Sequence, residues 1–175
     1  MKLLENDTIR LRQPEPEDLD MLYLWENDTS LWESGNARSP YSRYYLKQYI
    51  ALAGNDLFKR KHLRLIIERK ATGTAVGTID LYDFDPHHRR AEVGILIDAA
   101  HQRQGLATNA LKLLIDYAFS FLKLHLLYAY IPVTNTPSLH LFEQCGFETM
   151  GLLKDWLSSS NGYTDVIFLE CINRI

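Results

Sequence analysis

The 175-residue chain has only two cysteines, Cys145 and Cys171. Two are too few for a disulfide framework or a tetrahedral zinc set. Each borders apolar sequence, so both read as reduced thiols in or near the core of a cytoplasmic protein. Long apolar runs are also missing. The stretch poorest in charge, Leu126 to Phe142, holds Pro132, Asn135, Pro137 and His140 and cannot span a membrane. Met1 to Arg12 lacks the apolar centre of a signal peptide. No sign of charge dominates: 19 Lys and Arg stand against 22 Asp and Glu, a formal charge of −3. Such a chain has no global field to draw it onto nucleic acid or an anionic membrane, so any basic site must be local. G-x-G-x-x-G, P-loop, G-x-S-x-G and C-x-x-C patterns are absent, as are repeats and low-complexity segments. His87 and His88 are adjacent but have no further ligands in pattern, so no metal site is expected.

What is present suits a globular chain: 46% hydrophobic and 23% charged residues, with a length that fits one domain over residues 1–175. Thr8 to Arg12 alternates as a strand. Glu17 to Trp32 and Tyr41 to Ala53 read as helices, the second with Tyr45, Tyr49 and Leu52 along one side, separated by a break at Gly35 to Pro40. His62 to Glu68, Ala75 to Tyr82 and Arg90 to Asp98 form a three-stranded meander. Gly94 inside the third strand marks a bulge or a close backbone approach. Ala107, Ala110, Leu111, Leu114, Ala118 and Phe121 share one face of a long helix. Leu126 to Val133 is a buried strand, Ser138 to Cys145 a short helix stopped by Gly146, and Phe147 to Leu153 and Tyr163 to Cys171 the last two strands. A mixed central sheet with helices on both faces, an α+β domain, accommodates this order.

The segment His101-Gln102-Arg103-Gln104-Gly105-Leu106-Ala107-Thr108 lies between an apolar strand and the strongest helix. A turn there aims backbone N–H groups without intrahelical partners outward, and the helix dipole adds positive potential. That is an anion cradle suited to a pyrophosphate. Gly105 lets a phosphate approach, and Arg103 adds charge at the rim. Taken alone, the pattern also fits a plain polar helix entrance.

In context, HHRRAEVGILI (87–97), HQRQGLATNALKLLIDYAF (101–119) and NTPSLHLFEQCGFETMGLL (135–153) resemble the GNAT family of N-acetyltransferases. The likeness is greatest to the branch of spermidine and ribosomal-protein N-terminal acetyltransferases. The resemblance implies a mostly antiparallel sheet of six or seven strands, splayed between two central parallel strands, with acetyl-CoA in the splay. It places Ile95, Leu96 and Ile97 beside the pantetheine arm, Gln102 to Thr108 on the pyrophosphate, and Asn135 and Ser138 on the cofactor at the short helix. It implies direct acetyl transfer to the primary amine of a small molecule or a protein N-terminus. Glu92, a glutamate in an otherwise apolar strand, is the candidate base; the alternative is a solvent-facing glutamate paired with Arg90.

Two departures matter. Where the spermidine branch carries an acid tyrosine, this chain has Phe142, which supports the alternative of a CoA-binding sensor with weakened chemistry. Tyr128, Tyr130 and Tyr163 are substitutes by vicinity only. Glu33, Arg38 and Tyr41 are the candidate acceptor contacts. Arg38 and Arg43 bring like charge towards a polyamine, which favours N-terminal amines, amino sugars or other small amino compounds. Exposed strand edges near the C-terminus leave room for a homo-oligomer.

Overall fold

Alternating apolar residues build seven strands: β1 (Ile9–Arg12), β2 (Leu63–Arg69), β3 (Thr74–Asp85), β4 (Arg90–Ile97), β5 (Leu126–Pro132), β6 (Glu148–Ser159) and β7 (Gly162–Ile172). Among the described residues, five α-helices accompany them: α1 (Leu19–Glu26), α2 (Arg43–Leu52), α3 (Leu57–Arg60), α4 (Leu106–Asp116) and α5 (Thr136–Gln144). The computed structural model describes residues 3–32, 39–54 and 57–174. The strands form one sheet in the order β1-β2-β3-β4-β5-β7-β6. Every neighbouring pair is antiparallel except β4 and β5, which are parallel.

The sheet is covered on both faces, as the period-2 pattern requires. Leu63, Leu65 and Ile67 of β2 join the main core with Ala110, Leu111 and Leu114 of α4. Ile66, between them, packs on the opposite face against Leu22 of α1 and Ile50 of α2.

The feature that positions a site is the short parallel pairing. β4 and β5 share only the partners Arg90↔Leu126, Ala91↔Leu127 and Glu92↔Tyr128. Beyond them β4 stays with β3 as far as Ile97↔Gly77, and β5 stays with β7 as far as Pro132↔Val166. The two central strands therefore part after Glu92 and leave a wedge whose facing backbone groups have no strand partner. This is the splay that the resemblance implies.

Four local expectations change. The expected helix over Glu17 to Trp32 divides: α1 ends at Glu26 and a 3-10 turn covers Thr29–Leu31. Asn27 causes the break. Its amide nitrogen donates to the carbonyls of Tyr23 (2.9 Å) and Tyr41 (3.1 Å), and its oxygen accepts from the Tyr41 N–H (2.8 Å). In α2 the buried side is Leu46 and Ile50, not Tyr45 and Leu52, which are exposed. After Asp116 the long helix widens into a π turn over Tyr117–Phe121, and the shifted register turns Phe121 out to solvent. Finally, β3 and β4 pair without interruption from Gly77↔Ile97 to Tyr82↔Glu92, so Gly94 makes no bulge. The irregularity lies on β3 between Tyr82 and Asp85, where Asp83 adopts φ 46°. Most of the break expected at Gly35 to Pro40 lies outside the described residues.

Candidate active site

The wedge opens into a cleft of about 610 Å³ between the sheet and the α1–α2 layer. Glu92 lies on its floor, with Tyr82 opposite on β3 and Tyr128 opposite on β5. Burial, and secondarily the negative charge of Asp83, raises the Glu92 carboxyl to about 7. Arg90 is drawn to Asp85 (3.6 Å) instead of Glu92. A carboxyl that titrates near neutrality inside a cleft is suited to accepting a proton. Ile95, Leu96 and Tyr41 line the same cleft. The Tyr41 ring stacks on Tyr45 at 5.4 Å, and burial raises its pKa.

Behind Glu92 lies a polar cluster that the sequence reading passed over. Asp80 is buried, and its Oδ1 accepts from Arg64 Nε at 2.7 Å and contacts His62 Nε2 at 2.9 Å. Burial alone would raise the Asp80 pKa, but the Arg64 charge and the His62 and Arg64 hydrogen bonds outweigh it and lower it. Arg64 also donates to Glu26 of α1 and, at 3.3 Å, to the Tyr82 hydroxyl. The available signal was the one that singled out Glu92: Arg64 in LRLIIE and Asp80 in GTIDLY are charges inside apolar strands. A further tie joins Trp25 Nε1 of α1 to Asp98 Oδ2 at 2.7 Å, fixing the cleft wall to the end of β4.

At that end the chain turns through Gln102 to Gly105 into α4. Gly105 is the N-cap at φ 73°, with no side-chain cap, and a Cβ there would meet nothing within 4 Å. Gln102, Arg103, Gln104 and Gly105 are exposed. The N–H groups of Leu106, Ala107 and Thr108, in the first turn, have no intrahelical acceptors. An uncapped, unobstructed helix start fits a diphosphate. Not every side chain contributes: Leu106 is core, Gln104 accepts from Arg69, and the Gln102 amide donates to the Ile97 carbonyl at 3.3 Å. Asn135 caps α5, its Oδ1 accepting from the Ser138 N–H at 3.3 Å. It also borders a hollow of about 300 Å³ that shares Pro132 and Leu157 with the main cleft.

The family description "Acetyltransferase (GNAT) domain" matches residues 8–148. The chain belongs to the GNAT acetyltransferases. It is 29% identical to the uncharacterized N-acetyltransferase p20 of Bacillus licheniformis, over 99% of this chain and 98% of that protein. A crystal structure of spermidine N-acetyltransferase from Vibrio cholerae in complex with CoA and spermine superposes with a TM-score of 0.82 at 27% identity, covering 95% of this chain and 96% of that one. A dodecameric structure of the Vibrio cholerae enzyme superposes at 0.79 with 29% identity, covering 95% of each chain. The protein is an acetyl-CoA-dependent N-acetyltransferase acting on a primary amine.

The remaining acceptor expectations fare unevenly. Glu33 and Arg38 lie outside the described residues. Arg43 does not reach towards the cleft: it pairs with Asp20 and lies over the Tyr23 ring at 4.4 Å. Its charge therefore gives no argument against a cationic acceptor. Phe142 is core, 1% exposed and edge-on to Phe147 at 4.9 Å. Tyr130 lines the cleft and stacks on Trp156 of β6, whereas Tyr163 is exposed beside the β6–β7 turn. Among the described residues no helix is long and apolar enough to cross a membrane, and no group of three or more His, Cys, Asp or Glu is placed to hold a metal.

Proposed function

We propose that this GNAT enzyme acetylates a small amine that carries a second positive charge, of the polyamine class, with Glu92 as the general base. The balance of charge in the cleft carries the reading. Among the described residues, Glu26, Asp80 and Glu92 line it against one guanidinium, Arg64, within walls that include Trp25, Trp32, Tyr41 and Trp156. Carboxylates attract an ammonium, and aromatic faces hold cations and alkyl chains alike.

Acetyl-CoA supplies an activated acetyl thioester. The backbone of Ile95, Leu96 and Ile97 would flank its pantetheine arm, and the Gln102 to Thr108 turn would hold its pyrophosphate through N–H groups and the Arg103 charge. Asn135 and Ser138 would meet it at the start of α5. Glu92 takes the proton that the acceptor ammonium must lose. Holding both reactants in one wedge supplies the entropic part of the rate gain. A CoA thiol is acidic enough, near cysteine's ~8.5, to leave without an acid at position 142. The exposed outer strand β6 and the dodecameric Vibrio cholerae neighbour support a homo-oligomer. Two free thiols, Cys145 and Cys171, support a reducing, cytoplasmic setting.

The test is release of CoA thiol from acetyl-CoA with three acceptor sets: diamines and polyamines, amino sugars, and peptides with free N-termini. The expected result is a kcat/KM for polyamines at least about tenfold above the other sets. A preference for peptides would move the acceptor to protein N-termini. Silence across all three sets, with acetyl-CoA still raising the melting temperature, would favour a sensor.

A further inference from the structure

A glutamate on the floor of an open cleft should be well hydrated, yet Glu92 is half-buried. Tyr82 is the register partner of Glu92, and its ring leans across Gly94, two residues further along β4. A Cβ at Gly94 would meet the ring carbon Cε2 at 2.7 Å, closer than real Cβ atoms come, so the ring would have to shift. Gly94 has no positive φ, so the backbone does not demand glycine there; the ring does.

The ring is held from its other sides as well. His62 stacks on it at 4.7 Å with an interplanar angle of 17°. Arg64 donates to its hydroxyl at 3.3 Å. Both holders are themselves fixed by one buried carboxylate, Asp80. Tyr82 is thus clamped by a network anchored on Asp80.

We propose that Tyr82 is a positioning residue for Glu92: seated in the notch left by Gly94 and clamped by His62 and Arg64, it screens the Glu92 carboxyl from water on the β3 side and so sets the pH at which the base becomes competent. The inference rests on the reading of Glu92 as the base. The titratable and charged groups around Glu92 are Asp83 and the register partner Tyr82 from β3, Arg90 from its own strand, and Tyr128 and Tyr130 from β5. Asp80, Arg64 and Glu26 stand behind Tyr82. Burial is the larger cause of the raised Glu92 value and Asp83 the smaller, so removing the screen should matter more than removing a charge.

The experiment is kcat/KM against pH for the wild type, Glu92→Gln, Tyr82→Ala, Tyr82→Phe, Gly94→Ala and the Tyr82→Ala/Gly94→Ala double variant. One fixed amine acceptor is used throughout, so that its own ionisation cancels. The wild-type acidic limb should have its midpoint near 7. Tyr82→Ala should move that midpoint down by about one unit or more as water reaches the carboxyl. Tyr82→Phe keeps the ring and should keep the midpoint. Gly94→Ala displaces the ring and should move the midpoint the same way, while adding nothing to Tyr82→Ala. An unmoved midpoint in Tyr82→Ala, or shifts that add in the double variant, would overturn the inference. If Tyr82→Ala does not fold, Gly94→Ala against Tyr82→Phe decides alone. Glu92→Gln separates the two levels. A limb that survives it sinks the base itself. A limb that it abolishes but Tyr82→Ala leaves in place sinks only the role of Tyr82.

Discussion

A carboxyl buried in a cleft leaves a mark on folding stability, and Glu92 and Asp80 leave opposite marks. Glu92 is raised from 4.5 to about 7 by burial and by Asp83. Between those values the folded chain holds more protons than the unfolded one, so stability falls as pH rises through that window and is then level. Asp80 is lowered from 3.8 because Arg64 and His62 outweigh its burial, so its contribution is present above that value and is lost as pH falls. Glu92→Gln removes the first effect. It should stabilise the fold at pH 8 by up to about 3 kcal/mol, less some loss to solvent screening, and so raise the melting temperature there while leaving it nearly unchanged at pH 4.5. Scanning calorimetry of both proteins at the two pH values measures this. An equal difference at both would mean that the ionised carboxylate is not strained by the fold. The same substitution is expected to lose activity, so the residue trades stability for function.

Among the elements, the start of α4 was the most legible in sequence, because the change from an apolar strand to a 3.6-period helix fixes where the polar turn falls. The wedge was legible only by family resemblance. Where β4 leaves β5 depends on pairing between strands far apart in the chain, and no local pattern encodes it. Tertiary contacts also overrode the helix that was expected to run through Asn27, whose side chain binds the Tyr41 backbone. At Gly94 the sequence left a bulge and a close approach both open; the unbroken register excludes the bulge, and the close neighbour is the Tyr82 ring. At Gly105 the requirement is different. The φ of 73° disfavours any Cβ, and the space around it is open. Gly105→Ala should therefore cost about 1 kcal/mol in the unliganded protein. If the pyrophosphate binds here as proposed, the new methyl intrudes on it and should weaken CoA binding by tenfold or more. Calorimetric titration with CoA checks it. Undiminished affinity would remove the pyrophosphate from this turn.

For the molecule as a whole, a formal charge of −3 conceals two unlike surfaces: the uncapped helix start of α4, where the donor is proposed to bind, and a cleft lined by carboxylates and aromatic rings. One wall of that cleft is also an edge. β6 is the outer strand, twelve residues long, and it exposes Met150 (56%), Leu152 (51%) and Trp156 (56%). Trp156 reaches the cleft as well and stacks on Tyr130 at 6.1 Å. A long, apolar edge strand is a poor surface for an isolated monomer and a ready one for pairing. The protein is therefore expected to sediment as an oligomer at micromolar concentration. Met150→Lys with Leu152→Lys should reduce it to monomers. Because association would bury the outer side of the Trp156 wall, the monomers should show a raised KM for the amine at nearly unchanged CoA affinity. Analytical ultracentrifugation alongside acceptor kinetics measures both. A monomeric wild type, or dissociation that leaves the acceptor KM in place, would separate β6 from the assembly or the assembly from the site.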